Sequence, residues 1–246
     1  MSLPIALQLY TVREPLAEDL DAGLAQVASI GYRHVELAGL YGHSSQQFKD
    51  LLDKHGLTAI SAHEPLHCLL NDLADVIVRA KLFGYDHVVC PYLDESERGN
   101  YGKLVQDLEK VADTLAGSGL TLCYHNHDFE WGTDSSGRRG IDVLFGSDKL
   151  QSELDLYWVA KAGDEPLQWM KKLAGRLPLL HVKDMDDTPE KGFAEVGTGV
   201  LDFDTLIGAA ESCGVKYLIV EQDSNWKQSP MESARIGLEN LSGMLV

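Results

Sequence analysis

Residues that can bind metals or transfer protons gather where an apolar segment of this sequence ends. The segment LCYHNHDFEW, residues 122–131, begins with strand-forming residues and then carries His125, His127 and Glu130. Imidazoles and carboxylates are the side chains that ligate transition metals and act as general acids and bases. The segment is therefore either an ordinary polar loop or one wall of a functional site.

The same arrangement recurs at other apolar segments. HVEL carries Glu36, ISAHEP carries His63, SELDLYW carries Asp155, LLHVKD carries His181 and Lys183, and LIVEQD carries Glu221. Two imidazoles and two carboxylates, from His125, Asp155, His181 and Glu221, make a mixed donor set that suits Mn²⁺, Zn²⁺, Co²⁺ or Fe²⁺ rather than Ca²⁺. His127 is an alternative to His125. Taken singly, each residue could instead be a structural histidine or part of a buried ion pair.

The elements that carry these residues follow one repeated pattern. The tail of an amphipathic helix, a glycine and a short apolar strand succeed one another at Gly31, Gly56, Gly84, Gly119 and Gly214. Glycine takes the left-handed conformation that ends a helix. The chain therefore turns from each of these helices directly into a strand.

This pattern predicts eight strands alternating with eight helices. The strands are near 5–10, 32–38, 57–63, 86–92, 120–127, 151–157, 177–183 and 216–222. The helices are near 19–30, 44–55, 69–83, 101–117, 140–147, 164–175, 202–213 and 229–244. We expect a closed (β/α)₈ TIM barrel formed by a single domain, residues 1–246. An open doubly wound sheet is the alternative, but no strand is followed by the G-x-G-x-x-G of a dinucleotide fold.

In such a barrel the functional side chains lie at the carboxyl ends of the strands. Alternation along a strand places His181 and Lys183 on one face and Val182 on the other, and it separates Glu221 from Val220 in the same way. Charged groups that point into a barrel are costly to desolvate one by one. One shared cation would compensate this cost for all of them.

The composition limits the possible partners. The 246 residues are 44% apolar and carry a net charge of −17 from 38 acidic and 21 basic residues. This balance disfavours binding to nucleic acid, which requires Lys and Arg at the phosphates. No run approaches the roughly 20 apolar residues of a membrane span, and the first residues lack the pattern of a secretory signal. We expect a cytoplasmic protein with a small-molecule substrate and no membrane or nucleic-acid partner; assembly into a homo-oligomer is left open.

With these residues identified, the chain resembles the sugar phosphate isomerase/epimerase branch of the xylose isomerase-like TIM barrel superfamily. The landmarks, in order, are LQLYTVRE, GYRHVEL, YHNHDFE, ELDLYWV, HVKD, GTGVLDF and VEQD. The resemblance implies a divalent metal held by Asp155, His181 and Glu221. It also implies that Glu130 matches a carboxylate that contacts the substrate.

Two departures from that family bear on the mechanism. Ketose 3-epimerases have a glutamate at the end of strand five, where this chain has His125, and a histidine where this chain has Trp158. In those enzymes two metal-bound glutamates exchange protons on opposite faces of the sugar. A histidine at one of these positions keeps the metal site plausible and puts the symmetric two-base mechanism in doubt.

The resulting hypothesis is a metal-dependent isomerase or epimerase that acts on a keto-sugar or related polyol through an enediolate. Glu221 is the first choice of base, with Glu130, His125 or Lys183 as its partner. A lyase or dehydratase of the 3-keto-glycoside or inosose type would use the same enediolate; a non-catalytic binding barrel and an abasic-site endonuclease are more distant alternatives. Glu36, His63, His127 and Trp158 are expected to contact substrate, and residues 197–199 could approach a phosphate or merely turn the chain.

Overall fold

Eight parallel strands close into a barrel in the computed structural model, which describes residues 2–245. Strand β8 pairs with β1, with Leu218 opposite Ile5 and Val220 opposite Leu7, and this pairing completes the ring. The strands are β1 (Ile5–Gln8), β2 (His34–Ala38), β3 (Thr58–His63), β4 (His87–Cys90), β5 (Thr121–His125), β6 (Gln151–Asp155), β7 (Leu179–Val182) and β8 (Tyr217–Val220). The predicted (β/α)₈ barrel is confirmed.

Helices connect the strands and cover the outside of the barrel. They are α1 (Arg13–Glu18), α2 (Leu20–Ile30), α3 (Ser45–Lys54), α4 (Leu66–Asn71), α5 (Leu73–Phe83), α6 (Tyr101–Ala116), α7 (Gly140–Leu144), α8 (Leu156–Lys161), α9 (Pro166–Lys172), α10 (Phe203–Cys213) and α11 (Pro230–Met244). The sequence pattern missed α1 and α8, and it read α4 and α5 as one helix. None of the described helices is long and apolar enough to cross a bilayer.

Six of the eight strands end earlier than the sequence predicts, whereas β2 and β3 end at the predicted residues. The fifth strand was expected to reach residue 127, but β5 ends at His125. Beyond His125 the backbone of Asp155 is hydrogen-bonded by the side chain of Asn126 instead of by the backbone of β5. This side chain accepts from the Asp155 amide at 3.0 Å and donates to the Asp155 carbonyl at 3.3 Å. His127 therefore lies in a loop and not on the face that the alternation of β5 assigns to it.

A two-stranded antiparallel ribbon, Asp184–Met185 with Phe193–Ala194, follows β7 and was not predicted. The carboxylate of Asp184 accepts hydrogen bonds from the amides of Gly197 (3.0 Å), Gly199 (2.8 Å) and Leu201 (3.2 Å). Of the amides of residues 197–199 that could have approached a phosphate, those of Gly197 and Gly199 thus fold this loop onto Asp184, and that of Thr198 donates to the Glu195 carbonyl.

Two apolar cores support the barrel. The larger one fills the space between strands and helices. The smaller one, which we call the inner core, consists of Ala6, Ile60, Val89, Cys123, Leu179 and Ile219. Cys123, Leu179 and Ile219 each lie two residues before a functional polar residue, and side chains two apart on a strand point the same way. The polar residues at the strand ends therefore project inward directly above the inner core.

Candidate metal centre and substrate cavity

Four side chains from consecutive strands converge at the carboxyl end of the barrel. His125 ends β5, Asp155 ends β6, His181 lies in β7 and Glu221 directly follows β8. One donor atom from each lies within 4.8 Å of the other three, and all four side chains are buried. We call these four residues the donor set. The structure brings together the residues that the sequence singled out as a candidate metal site.

Asp155 supplies the strongest indication that the donor set fits a cation. Its Oδ1 accepts a hydrogen bond from the Trp158 amide and caps α8, whereas its buried Oδ2 has no hydrogen-bond partner within the described residues. Nε2 of His125 lies 3.7 Å and Nδ1 of His181 lies 3.9 Å from this oxygen. Burial raises the pKa of Asp155 to about 6. The Lys183 ammonium lies 3.3 Å from this oxygen but leaves the pKa raised, so the buried carboxylate is only partly compensated, and a cation shared with the two imidazoles would remove the remaining cost.

Lys183 is the buried cation beside the donor set. Its Nζ lies 2.8 Å from Glu221, 3.3 Å from Asp155 and 3.0 Å from Asp223. Burial alone would raise the pKa of Glu221, but the positive charges of Lys183 and His181 hold it below its ordinary value. Sequence reasoning did not single out Asp223, although its position two residues after Glu221 was a signal that could have found it.

Two buried carboxylates lie on the other side of the imidazoles. Oε2 of Glu153 is 3.0 Å from Nδ1 of His125 and 3.2 Å from Nε2 of His181, and Oε1 of Glu36 is 2.7 Å from the same His181 nitrogen. Sequence reasoning did not single out Glu153, although it lies two residues before Asp155 and therefore on the same face of β6. Carboxylates in this position fix the tautomer and orientation of a metal-binding histidine.

A second group of four donors overlaps the first. His63, His125, Glu153 and His181 also place one donor atom each within 4.8 Å of the others. Both groups need both imidazoles, and one neutral imidazole offers a single free lone pair. Carboxylates raise the pKa of His63 to about 10 and also raise that of His181, which both groups share, so these charges do not separate the groups. The donor set contains two carboxylates and the second group only one, and two carboxylates balance the charge of a divalent cation. The donor set with Asp155 and Glu221 is the better cation site.

A cavity of about 1010 Å³ opens onto the donor set. His125, Glu221 and Lys183 contribute to its lining, so the donor set and a ligand in the cavity would be in contact. Three of the four residues expected to contact substrate line it as well: His63, His127 and Trp158. The structure thus joins the candidate cation site to a space of ligand size.

Glu36 and Glu130 are both fully buried, and neither lines the cavity. Glu36 accepts hydrogen bonds from Gln8 (2.7 Å) and Ser61 and lies against His181. Glu130 accepts from the hydroxyl of Tyr124 at 2.7 Å and from the amide of His127 at 2.8 Å. Glu130 therefore organises its own loop, and the substrate contact expected of Glu36 and the catalytic role expected of Glu130 stay predictions.

His127 is distinct from the donor set. Its ring packs between aromatic side chains, with the Phe129 ring stacked at 5.4 Å and the Trp158 ring at 5.2 Å. Burial lowers its pKa to about 3, so the ring is neutral. Of the two strand-five histidines left open by the sequence, His125 is the one that the fold brings to Asp155, His181 and Glu221.

Comparison with known proteins agrees with this architecture. A sugar phosphate isomerase/epimerase from Parabacteroides distasonis ATCC 8503 superposes with a TM-score of 0.81 at 20% identity, covering 100% of this chain and 96% of that one. The IOLI protein, whose structure holds a zinc atom, gives a TM-score of 0.73 at 16% identity over 100% of this chain and 98% of that one. A D-allulose 3-epimerase from Methylomonas sp. gives 0.70 at 17% identity over 99% and 98%. At these identities the likeness establishes the fold.

A search of curated proteins found none that matches this sequence. The family model of the xylose isomerase-like TIM barrel, by contrast, matches residues 24–242. This match covers most of the chain and includes every member of the donor set. Together with the closed parallel barrel, it establishes that the chain belongs to the xylose isomerase-like TIM barrel family.

Proposed function

We propose that the protein is a divalent-metal-dependent isomerase or epimerase that acts on a keto-sugar or related polyol through an enediolate. The observation that carries the proposal is the convergence of His125, Asp155, His181 and Glu221 within 4.8 Å beside a cavity. The buried Oδ2 of Asp155, which accepts no hydrogen bond within the described residues, supports it further. The mixed nitrogen and oxygen donors suit Mn²⁺, Zn²⁺, Co²⁺ or Fe²⁺, and the zinc in the IOLI structure is consistent with this.

When bound, the cation would supply Lewis-acid stabilisation of negative charge on adjacent substrate oxygens. Glu221 would act as the base that removes the proton from the carbon between those oxygens. It lines the cavity, and its lowered pKa keeps it ionised at neutral pH. Geometry and protonation state are the two requirements for a general base.

Lys183 would keep its proton during this step. Burial opposes the charge on Lys183, but Asp223, Glu221 and Asp155 outweigh burial and raise its pKa. Its ammonium group would stabilise the enediolate oxygens electrostatically. Asp223 is a second carboxylate in the cavity lining and offers an acid that could return a proton to the sugar. His63, His127 and Trp158 would contact the sugar hydroxyls and the apolar face of its ring.

A lyase or dehydratase that uses the same enediolate is the second candidate, and His125 favours it. This histidine stands where the ketose 3-epimerases have a second glutamate, and burial holds its pKa well below the ordinary value. An imidazole committed to a cation has no proton to return to the substrate. In that case loss of a β-oxygen, as water or as an aglycone, would complete the reaction.

Two measurements test the proposal. Elemental analysis of protein purified without chelator should give about one divalent transition metal per chain. Asp155→Asn should lose the metal, whereas Asp164→Asn, outside the cavity lining, should retain it. Incubation in D₂O with ketohexoses, inososes and 3-keto-glucosides should then place solvent deuterium in the recovered sugar. Loss of water or aglycone would favour the lyase instead, and absence of both metal and exchange would reject an enzyme of this kind and favour a binding barrel.

A further inference from the structure

The cavity is much larger than the donor set and a single sugar require. Its volume of about 1010 Å³ reaches the upper end of the range that binds drug-sized ligands, roughly 300–1,000 Å³. A sugar held at Glu221 and Lys183 would leave most of this space unfilled. The residues that line the rest of the cavity therefore indicate which further chemical group the substrate carries.

One side of the cavity is mainly apolar, although the paired side chains of Glu64 and Arg79 come from the same elements, and we call it the apolar arm. It is lined by Leu37, Leu40, Ala62, Cys68, Phe83 and Tyr85. These residues come from the end of β2 and its loop, from β3, from α4, and from α5 with the turn that follows it. Apolar walls favour apolar ligand groups, because each such group leaves water on binding. Tyr92 and Phe129, whose rings pack against His127, add aromatic surface to the lining.

Two of the three Arg and Lys side chains in the cavity lining are paired with carboxylates, and the third, Arg98, is hydrogen-bonded to neutral groups. Arg79 makes two hydrogen bonds to Glu64, at 3.0 and 2.6 Å, and Lys183 lies among three carboxylates. Arg98 donates to the Leu93 carbonyl at 2.9 Å and to the Tyr92 hydroxyl at 2.6 Å, and its guanidinium carbon lies 3.7 Å from the centre of the Phe129 ring. The lining also includes the carboxylates of Glu64, Asp128, Glu221 and Asp223.

A phosphate group would therefore find little to bind in this cavity. Phosphate sites use clustered free amides or unpaired Arg and Lys side chains. The amides of Gly197 and Gly199 donate to Asp184, and the carboxylates in the lining repel an anion. These observations favour an uncharged substituent on the sugar.

We propose that the substrate is an unphosphorylated keto-sugar that bears an aryl group or a similarly apolar aglycone, and that the apolar arm binds this group. The inference rests on the proposed function only for the placement of the sugar at the donor set. The apolar arm sets specificity by burying the aglycone. A free ketose or a sugar phosphate would lack this contribution.

Isothermal titration of Mn²⁺-loaded protein with 4-nitrophenyl glucoside, methyl glucoside and glucose 6-phosphate tests the inference. The two glucosides are acetals without a carbonyl group, so the comparison between them is made without turnover. Burial of a phenyl-sized group should give the aryl glucoside an affinity about 10- to 100-fold above that of the methyl glucoside. Equal affinities, no binding of the aryl glucoside, or tighter binding of the phosphate would each overturn the inference.

Variants assign the effect to the apolar arm. Leu40→Asp should remove the advantage of the aryl glucoside and leave methyl glucoside binding unchanged. Leu40→Met should retain it, and so should Leu70→Asp, because Leu70 is 44% exposed and does not line the cavity. An aryl advantage that survives Leu40→Asp would overturn the assignment.

The two proposals fail in different ways. Metal with deuterium exchange into free ketoses, but no aryl advantage, would reject the apolar arm and leave the proposed function standing. An aryl advantage in protein that neither binds metal nor exchanges deuterium would reject the proposed function and leave the arm as a binding site.

Discussion

His125 and His181 each present one ring nitrogen to Asp155 and the other to a buried carboxylate. Glu153 contacts both rings, at 3.0 Å from His125 and 3.2 Å from His181. A neutral imidazole can bind a cation through one nitrogen only when the other carries the proton. Glu153 therefore positions both rings for the donor set, although it does not line the cavity.

Glu153→Gln should weaken cation affinity by about 10- to 100-fold, because an amide holds the two ring protons less strongly than a carboxylate. Titration with Co²⁺, followed by its visible absorption, measures this affinity and reports the ligand geometry. Glu195→Gln is the matched control: Glu195 is a buried carboxylate bonded to Ser233 and the Lys227 amide. Unchanged Co²⁺ affinity and spectrum in Glu153→Gln would contradict the positioning role.

Glu130 should make stability depend on pH. Burial raises its pKa from 4.5 to about 7, so the folded protein binds a proton that the unfolded chain releases between these values. The free energy of unfolding should therefore fall by about 3 kcal/mol as pH rises from 4.5 to 7, and this component should be level above pH 7. Glu130→Gln should lack this component. Urea unfolding of metal-free protein across this pH range measures it, and parallel profiles for the two proteins would refute the assignment.

At the scale of elements, the loop after β7 is organised by one side chain. Asp184 is buried and accepts hydrogen bonds from the amides of Met185, Gly197, Gly199 and Leu201. A Cβ atom on Gly199 would lie 2.2 Å from the Met185 carbonyl oxygen, so the loop packs tightly against the ribbon. The conformation of this loop depends on the carboxylate of Asp184.

Asp184→Ala should lower the free energy of unfolding by about 2–4 kcal/mol, because several buried amides lose a charged acceptor. Amide hydrogen exchange at Gly197, Gly199 and Leu201 should accelerate. Asp186→Ala is the control: Asp186 caps a turn at Thr188 and Gly192 nearer the surface and should cost less than about 1 kcal/mol. Equal losses in the two variants would contradict the special role of Asp184.

At the scale of the whole molecule, the inner core packs directly beneath the donor set and supports it. Leu179 is fully buried in it and lies two residues before His181 on β7. Leu179→Ala should lower the free energy of unfolding by about 2–5 kcal/mol through lost burial and the resulting cavity. Leu179→Met keeps the volume and should cost less than about 1.5 kcal/mol. Urea unfolding measures both, and a small effect of the alanine would show that the inner core contributes little.

The barrel could be predicted from the sequence because its signal is local and repeated. Each glycine that ends a helix before an apolar strand indicates a turn, and the conformation of that turn depends on only a few neighbouring residues. Missed elements such as α8 are short, and α8 is capped at its start by Asp155, which the sequence assigned to a strand and a metal site. One residue serves as strand end, helix cap and candidate ligand, and a local pattern reports only one of these roles.

The sequence by itself determined which side chains reach the carboxyl end of the barrel, because alternation along a strand and the parallel order of strands follow from the backbone. It did not determine how far each side chain extends above the inner core. Glu130 and Glu36 turn away from the cavity, whereas Glu153 and Asp223 join the network around the donor set. Glu130 is held by Tyr124 and His127 within its own segment. The choices of Glu36, Glu153 and Asp223 depend instead on hydrogen bonds between residues 25 to 145 positions apart. Only closure of the barrel brings such partners together, so only the tertiary structure decides them.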